Sequence, residues 1–585
     1  MDRNTVVAFV LILLVMILMP MYWEMINPPE TEQDRTSVVD TSDQTDPADT
    51  LRRTTVSENR TAPETPERTQ AKPEPELTQA MEQSDTIVVE TEDYWMAVTN
   101  RGGGTFTSIK LKNYPGPHGE PYAELIPERQ RNGVLQFSTI GFEGDTVSYA
   151  DNVFNITVDG YKELPDTLKI TSPLSVSFSY NTSEGGTLTR TLTFFPDQYH
   201  IGMTVSLEHF RDIIANRRYT MTWNSGIAIT ENNARDDLQY SKAYSLLGDE
   251  LVDIDAAKAD AREPETESFE GTTRWVAVRN KYFASIITPI SRDAIGMHLT
   301  GTKQKRGDLD LENYDAGIIM PYSETATQRD SFFVYMGPLD YNVLNGYDRD
   351  FQRMMNFGWT IIRPISKGVL WAFTTMHKYI ANYGLVLILF GVFVKILVFP
   401  LTKKSYVSMK EMQNLQPKVK ELREKYKDDS QKMNQEMMKI YKEHGVNPMG
   451  GCLPMLFQMP LLYALFIVFR TTIELRGAEF IWWITDLSQP DTIFTLPFSL
   501  PLYGANVNVL PIVMGVTMIF QQRMTSGAST QQQKMMMWFM PVVFLLIFNN
   551  FPSGLNLYYA LFNVMTIIQQ KWFIDVPSAA PAKTE

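Results

Sequence analysis

Cysteine is all but missing: Cys452 is the only one in 585 residues. No internal disulfide is open to any soluble part of the chain, even in an oxidising compartment. Folding must rest on an ordinary hydrophobic core, which the length permits. Histidine is nearly as scarce, and His118, His200, His209 and His298 are scattered without the spacing of metal ligands. The glycine run Arg101-Gly-Gly-Gly104 lacks a Gly-Lys-Ser/Thr ending, so it reads as a turn between strands and not as a phosphate loop. No nucleophile elbow occurs. Positive charge is also short, 53 Lys and Arg against 67 Asp and Glu, for a net charge of -14. An acidic body argues against DNA as a partner, because phosphate binding needs a basic surface. Together these absences predict no metal, no cofactor and no enzyme chemistry.

What is present divides the chain sharply. Residues 5–23 form an apolar run with Arg3 before it and Tyr22 and Trp23 at its far end, which predicts a retained transmembrane signal anchor over 1–26. Residues 27–84 hold seven prolines among Thr, Glu, Asp, Gln and Ser. Such a segment cannot offset its ordering entropy by burial and reads as a disordered polar linker. A flexible tether predicts that the following domain is separable from the rest. Over 85–350 short β-branched and aromatic runs recur, among them Thr86-Ile-Val-Val-Glu90, Leu188-Thr-Arg-Thr-Leu-Thr-Phe194 and Ser331-Phe-Phe-Val-Tyr-Met336. They predict a large extracytoplasmic antiparallel β-sandwich. The acidic stretch 231–270 reads as a surface loop or short helices.

From Phe351 the pattern turns helical. Residues 351–382 read as an interfacial amphipathic helix, and five candidate spans follow at about 383–400, 450–469, 508–522, 537–550 and 555–573. Residues 400–447 hold 11 Lys and Arg against 7 Asp and Glu, whereas the loop near 474–491 sets Glu474, Glu479, Asp486 and Asp491 against Arg476. By the positive-inside rule both termini and the basic loops are cytoplasmic and the sandwich is outside. The basic stretch suits anionic lipid or ribosomal RNA.

Lys395 interrupts the first of these five spans. An ammonium there costs roughly 2.5–3.5 kcal/mol on insertion scales, so it either snorkels to headgroups or faces a partner or a wet cavity. Other polar groups lie in the spans: Gln458, Gln521, Gln522, Asn549, Asn550, Asn556 and Asn563. They are open to two readings, interhelical bonds or the lining of a hydrated recess. No carboxylate lies in the spans to neutralise Lys395, which disfavours a proton relay and leaves a cationic site. Between the first two of the five spans, Met409, Met412, Leu415, Val419, Leu422 and Tyr426 form one helical stripe, and Met433, Met437, Ile440 and His444 a second. They predict an αα-hairpin over 401–447.

These residues resemble the YidC/Oxa1/Alb3 family of membrane protein insertases in its Gram-negative form. The resemblance is carried by Pro400-Leu-Thr-Lys-Lys404, Leu415-Gln-Pro-Lys418, Asn447-Pro-Met-Gly-Gly451, Gln458-Met-Pro460, Glu474-Leu-Arg476, Gly515-Val-Thr-Met518, Phe551-Pro-Ser-Gly554, Leu557-Tyr-Tyr559 and Thr566-Ile-Ile-Gln-Gln570. It implies an inner-membrane protein whose five-helix core, 383–574, surrounds a hydrophilic groove open to cytoplasm and lipid. It places the groove cation at Lys395, where arginine is commoner, and Gly391 where threonine is frequent. It puts client contacts at Gln458, Met459, Pro460, Tyr558 and Tyr559. The hairpin, with Met409, Met412, Leu415, Pro417, Met433 and Met437, would receive the incoming chain. The implied partners are nascent membrane proteins, the Sec translocon, membrane lipids and the translating ribosome. Ribosome contact through the tail 575–585 is weak, since Lys583 is its only basic residue. The competing function is a solute or lipid/glycan transporter with the sandwich as receptor. That class commonly shows inverted repeats and a midplane site, and neither is seen in the sequence.

Overall fold

Alternating side chains build the first half of the molecule. In the computed structural model the strand Thr187–Phe194 turns Leu188, Arg190, Leu192 and Phe194 inward and its threonines outward, the period-two pattern of a half-buried strand. The structure describes residues 85–573 apart from 131–132, 143, 257–258, 260–262, 308, 428, 447–452, 501–502 and 526–530. The anchor expected over 1–26, the linker 27–84, the tail 575–585, Cys452 and the motif at 447–451 lie outside the described residues.

Thr187–Phe194 lies in a large sheet that runs from Gln136–Ile140 through Arg218–Trp223, Leu309–Pro321, Ala294–Arg306, Glu265–Arg279, Phe283–Pro289, Thr327–Pro338 and His200–Glu208 to Leu174–Asn181 and Asn155–Val158. A smaller sheet orders Ala123–Glu124, Thr105–Leu111, Tyr94–Thr99, Thr86–Glu90 and Thr167–Lys169. One core joins the two, with Val89, Met96 and Phe106 from the small sheet against Phe137, Leu192 and Ile318 from the large. The expected antiparallel order has one exception: Thr86–Glu90 pairs parallel with Thr167–Lys169. Arg101–Gly104 is the turn into Thr105–Leu111, and its three glycines all sit at positive φ.

The acidic stretch 231–270 departs from the expected surface loop. It forms helix α1 (Ala234–Leu238) and the strands Lys242–Leu247, Glu250–Ile254 and Glu265–Arg279. Its acids are paired, not solvated. Asp237 is buried, accepting bonds from Thr230 and Lys281 backbone N–H groups at 2.7 and 3.0 Å. Asp236 takes Lys281 Nζ at 2.7 Å and Arg470 Nη2 at 2.9 Å. Arg476 Nε donates to Glu231 at 2.7 Å, and its Nη2 donates to the Pro115 carbonyl at 2.7 Å.

Arg470 and Arg476 come from the helical half, so these bonds form a seam. Apolar contacts reinforce it. One cluster runs from Trp275, Ile286 and Tyr335 of the sheet through α2 (Tyr341–Gly346) and Phe351 into the helices, ending at Phe469 and Leu555. The flexible-tether reading predicted a separable domain; the structure instead docks it through residues 341–381 and 470–476. The interfacial helix is also shorter than expected. A 3₁₀ turn at Phe351–Met354 precedes α3 (Ile362–His377), with Gly358 at φ 83° between them. Phe373 of α3 meets Phe390 and Phe469 edge-on, at 5.0 and 5.7 Å between centroids.

Helices cover all five candidate spans. They are α4 (Tyr383–Asn414), α7 (Leu453–Thr471), α8 (Val509–Thr525), α9 (Gln531–Phe548) and α10 (Ser553–Trp572). Between α4 and α7 come α5 (Gln416–Lys425) and α6 (Ser430–Glu443). Among the described residues, Tyr383–Pro400 is the one helical stretch long and apolar enough to cross a membrane by length and composition. α4 continues past Pro400 into the expected hairpin, so the first Met-rich stripe is not one helix. It breaks at Leu415, because Pro417 has no N–H to continue the ladder but is tolerated in the first turn of α5. Leu415, Val419, Tyr441 and Val446 close the hairpin, with Met412 and Met437 packed against them. Pro417 is exposed, and Met433 is half-buried outside that cluster.

The seam yields two expectations. Arg476→Ala removes one partner of a buried pair, which costs about 3–5 kcal/mol of docking. Limited proteolysis of the detergent-solubilised protein should then release the sheet region faster than from wild type. Glu474 is buried beside the seam with both carboxylate oxygens unbonded. Burial, with Asp340 adding to it, pushes its carboxyl up to about 8 from an ordinary 4.5. A raised carboxyl pKa favours the protonated, folded form, so its contribution to stability is lost as pH rises from about 4.5 to 8. Glu474→Gln should gain thermal stability relative to wild type across that window, with the gain level above it. Parallel pH profiles of the two proteins would refute this.

Candidate functional site: a polar recess beside a buried cation

Lys395 lies on the face of α4 that meets α10, and only 4% of it is exposed. Its Nζ donates to Thr566 Oγ1 at 2.6 Å and stands 3.5 Å from the centre of the Phe562 ring. The Tyr406 ring is 5.9 Å away. Thr566 in turn donates to the Phe562 carbonyl at 2.7 Å, which fixes its oxygen toward the ammonium. Among the described residues no carboxylate pairs with Lys395. The snorkelling reading fails here, because the side chain turns into the helix assembly. Gly391, one turn earlier, makes that possible: a Cβ there would lie 3.0 Å from Leu561 of α10, so the missing threonine is matched by a closer approach of the two helices.

Phe562 and Tyr406 also line a recess of about 330 Å³ between α4, α7, α8, α9 and α10. Gln458, Gln521, Gln522, Asn563 and Tyr559 supply polar groups to it, and Met459, Met518 and Phe544 apolar surface. A second cavity of about 280 Å³ shares Tyr406, Met409 and Gln570 and adds Lys410, Gln413 and Lys571. The two cavities make a polar path toward the hairpin. Two bonds hold the walls: Asn563 Nδ2 to Thr517 at 3.2 Å, and Gln413 Nε2 to the Met524 carbonyl at 2.7 Å.

The structure thus gathers Gln458, Met459, Gln521, Gln522, Asn563 and Tyr559 at one place, with Lys395 directly behind the wall. It separates others from them. Asn556 is buried and donates to the Phe548 and Phe551 carbonyls at 3.1 and 3.4 Å, closing the end of α9 instead of lining the recess. Tyr558 is buried and accepts from Gln458 Nε2 at 3.1 Å. Its role is to aim Gln458, and it is not open to a client. Pro460 sits inside α7 away from the lining. Met409 packs with Tyr406 and belongs to the recess, not to the hairpin cluster.

Sequence reading overlooked Thr566, Phe562, Tyr406, Thr517 and Gln570. A signal for two of them was present. Asn556, Tyr559, Asn563, Thr566 and Gln570 recur at spacings of three and four, one polar face of α10. Reading that face as a unit would have paired Thr566 with Lys395. The assembled site offers binding and hydration. It brings no nucleophile and base together, and among the described residues no His, Cys, Asp and Glu group could hold a metal.

Comparison with known proteins covers both halves. Residues 86–372 match the YidC periplasmic domain family, and residues 375–579 the 60Kd inner membrane protein family. The membrane protein insertase YidC of Chlorobium luteolum is 39% identical over 501 residues, 85% of this chain and 84% of that one. That of Chlorobaculum parvum is 39% identical over 494 residues, 84% and 82% of the two chains. A solved YidC insertase structure with its first transmembrane domain resolved covers 84% of this chain and 93% of that one, at 18% identity and a TM-score of 0.36. The sequence matches carry the assignment. The protein inserts membrane proteins and assists their folding without enzymatic turnover, and its β-sheet region is extracytoplasmic. The chain belongs to the YidC family of membrane protein insertases.

Proposed function

We propose that the recess is the place where a client enters, and that Lys395 draws an acidic or polar tail into it. The observation that carries this is a buried ammonium with one hydrogen bond, one aromatic face and no paired carboxylate, set directly behind an amide-lined cavity. At an effective dielectric of about 20, a carboxylate about 6 Å from the ammonium gains about 3 kcal/mol, against about 0.7 kcal/mol in bulk water. The surrounding helices thus turn an ordinary charge into a useful attractor. Gln458, Gln521, Gln522 and Asn563 hydrate the tail. Met459 and Tyr559 meet the following apolar segment, whose burial at about 25 cal/mol per Å² drives it into lipid.

In this reading α4, α7, α8, α9 and α10 all span the inner membrane, the hairpin and both termini are cytoplasmic, and the sheet region is periplasmic. The hairpin collects nascent chains from the ribosome, and the protein works alone or beside the Sec translocon. The domains are a 1–26 anchor, a 27–84 linker, an 85–350 sandwich, a 351–382 interfacial segment and a 383–574 core.

Topology is tested with an impermeant thiol reagent in a Cys452→Ala background. Ser183→Cys in the sheet region should label from outside, and Lys427→Cys in the hairpin should not; both positions are exposed. Reversed labelling overturns the arrangement.

The capture role is tested with paired clients that differ only by one tail Asp or Asn. Lys395→Arg should retain activity, whereas Lys395→Met and Lys395→Glu should lose it, most of all for the Asp client. Equal insertion of both clients by wild type and Lys395→Met would sink electrostatic capture. Thr566→Val removes the only hydrogen bond acceptor found for the ammonium and should cost about 1–3 kcal/mol of stability, read as a lower Tm. Thr566→Ser should restore it.

A further inference from the structure

Between α7 and α8 the chain forms a two-stranded ribbon, Thr492–Leu500 with Gly504–Asn508. It has no part in the recess. From Thr492 to Gln522 not one residue is charged, yet the ribbon is on the surface. Phe494 is 52% exposed and Phe498 59%, with Ile493 and Leu500 also outward. A ribbon standing in water would not carry four large apolar side chains on so few residues without something to cover them.

Three features say what covers them. First, Asn508 is followed at once by Val509, the start of α8, whose exposed Ile512, Val513 and Val516 form the lipid-facing side of that span. The ribbon continues that apolar surface beyond the helix end. Second, its base is clamped. Asp491 accepts from Val509 and Leu510 N–H groups at 3.1 and 2.8 Å, and Asn549 donates to the Tyr503 and Asn506 carbonyls at 2.9 and 2.8 Å. Third, the same Asp491 accepts from Trp483 Nε1 at 3.0 Å, and Trp482 stacks on Trp483 while 83% exposed. Trp482 sits at φ 55°, a backbone conformation that a bulky residue rarely adopts. Exposed tryptophans beside an apolar surface are the usual mark of a membrane–water boundary.

We infer that this ribbon lies in the extracytoplasmic leaflet, with Phe494 and Phe498 among the lipid acyl chains and Trp482 at the headgroups. Its depth is limited, because the outer edge of each strand has unpaired N–H and C=O groups that hydrocarbon cannot satisfy. The ribbon therefore rests at the boundary between headgroups and chains. There it widens the apolar footprint at the end of α8 and α9. The inference rests on α8 being a span.

Spin labels test it in liposomes, in a Cys452→Ala background. Phe494→Cys and Phe498→Cys are compared with Val516→Cys on α8 and Tyr161→Cys in the sheet region. Oxygen should collide with the Phe494 and Phe498 labels in preference to a water-soluble nickel chelate. The oxygen-to-nickel ratio should be several-fold above that at Tyr161 and below that at Val516. A ratio like that of Tyr161 at both positions puts the ribbon in water and overturns the proposal. Loss of both collisions puts it against protein, a client or a second copy, and overturns it equally. A water-like ratio at Val516 would instead mean that α8 is no span. The unsubstituted protein gives an independent reading: a phospholipid with a diazirine on its acyl chain should label the peptide that holds Thr492–Leu500. No label there, with label present on Tyr383–Pro400, refutes the proposal.

Discussion

A positive charge buried among helices has to be held by something, and here no anion holds it. Lys395 has one hydroxyl and the face of one ring. An aromatic face attracts a desolvated cation by about 2 kcal/mol or more and cannot neutralise it, so the charge remains available to whatever enters the space beyond Phe562. Much of the helical half follows from keeping that arrangement. Gly391 lets α10 come close enough for Thr566 to reach the ammonium. Asn563 ties α10 to α8, and Tyr558 aims Gln458 across from α10 to α7. A carboxylate in Thr566's place would make a stronger bond and leave no charge for a client.

The two halves are more closely joined than a tethered receptor and a channel would be. Arg476 and its partner Glu231 are both nearly inaccessible, and the apolar cluster from Trp275 to Leu555 crosses the junction unbroken. Charged pairs of this kind contribute more to a unique geometry than to net stability. The seam thus sets how the sheet region sits on the ends of α4 and α7, and residues 470–476 serve both halves at once.

Much of this was legible in the chain, for reasons that can be named. Strands such as Thr187–Phe194 announce themselves by alternation, and the five helical stretches by uninterrupted apolar runs, because both signals are local. Lys395 stood out since a charge in such a run is costly wherever it points. What could not be read was direction and partnership. Asn556 and Asn563 look alike in sequence, yet one closes the end of α9 and the other faces a cavity. The acids of 231–270 read as solvated because Arg470 and Arg476, which satisfy them, lie more than two hundred residues away. The hairpin stripe was periodic enough to pass for one helix, and only the missing N–H of Pro417 divides it.

The site is open at one end and shut at the other, and this asymmetry gives the helices a direction. Toward the hairpin, the cavities are bounded by Gln413, Lys410 and Lys571, side chains at home in water. At the opposite end the backbones close in. Gly554 leaves no room for a Cβ against the Phe469 ring, nor does Gly384 against Phe480. Ser553 and Gly554 N–H groups donate to the Gln489 and Leu487 carbonyls, at 2.8 and 3.0 Å, and lock the turn into α10. A hydrated tail drawn toward Lys395 meets glycine-tight packing beyond it and cannot follow a water-filled path onward. The apolar segment behind the tail, unable to advance along the helix axes, has lipid as its favourable exit. A cation that attracts, a seal that stops and an open flank toward lipid together convert an undirected affinity for membrane into ordered insertion.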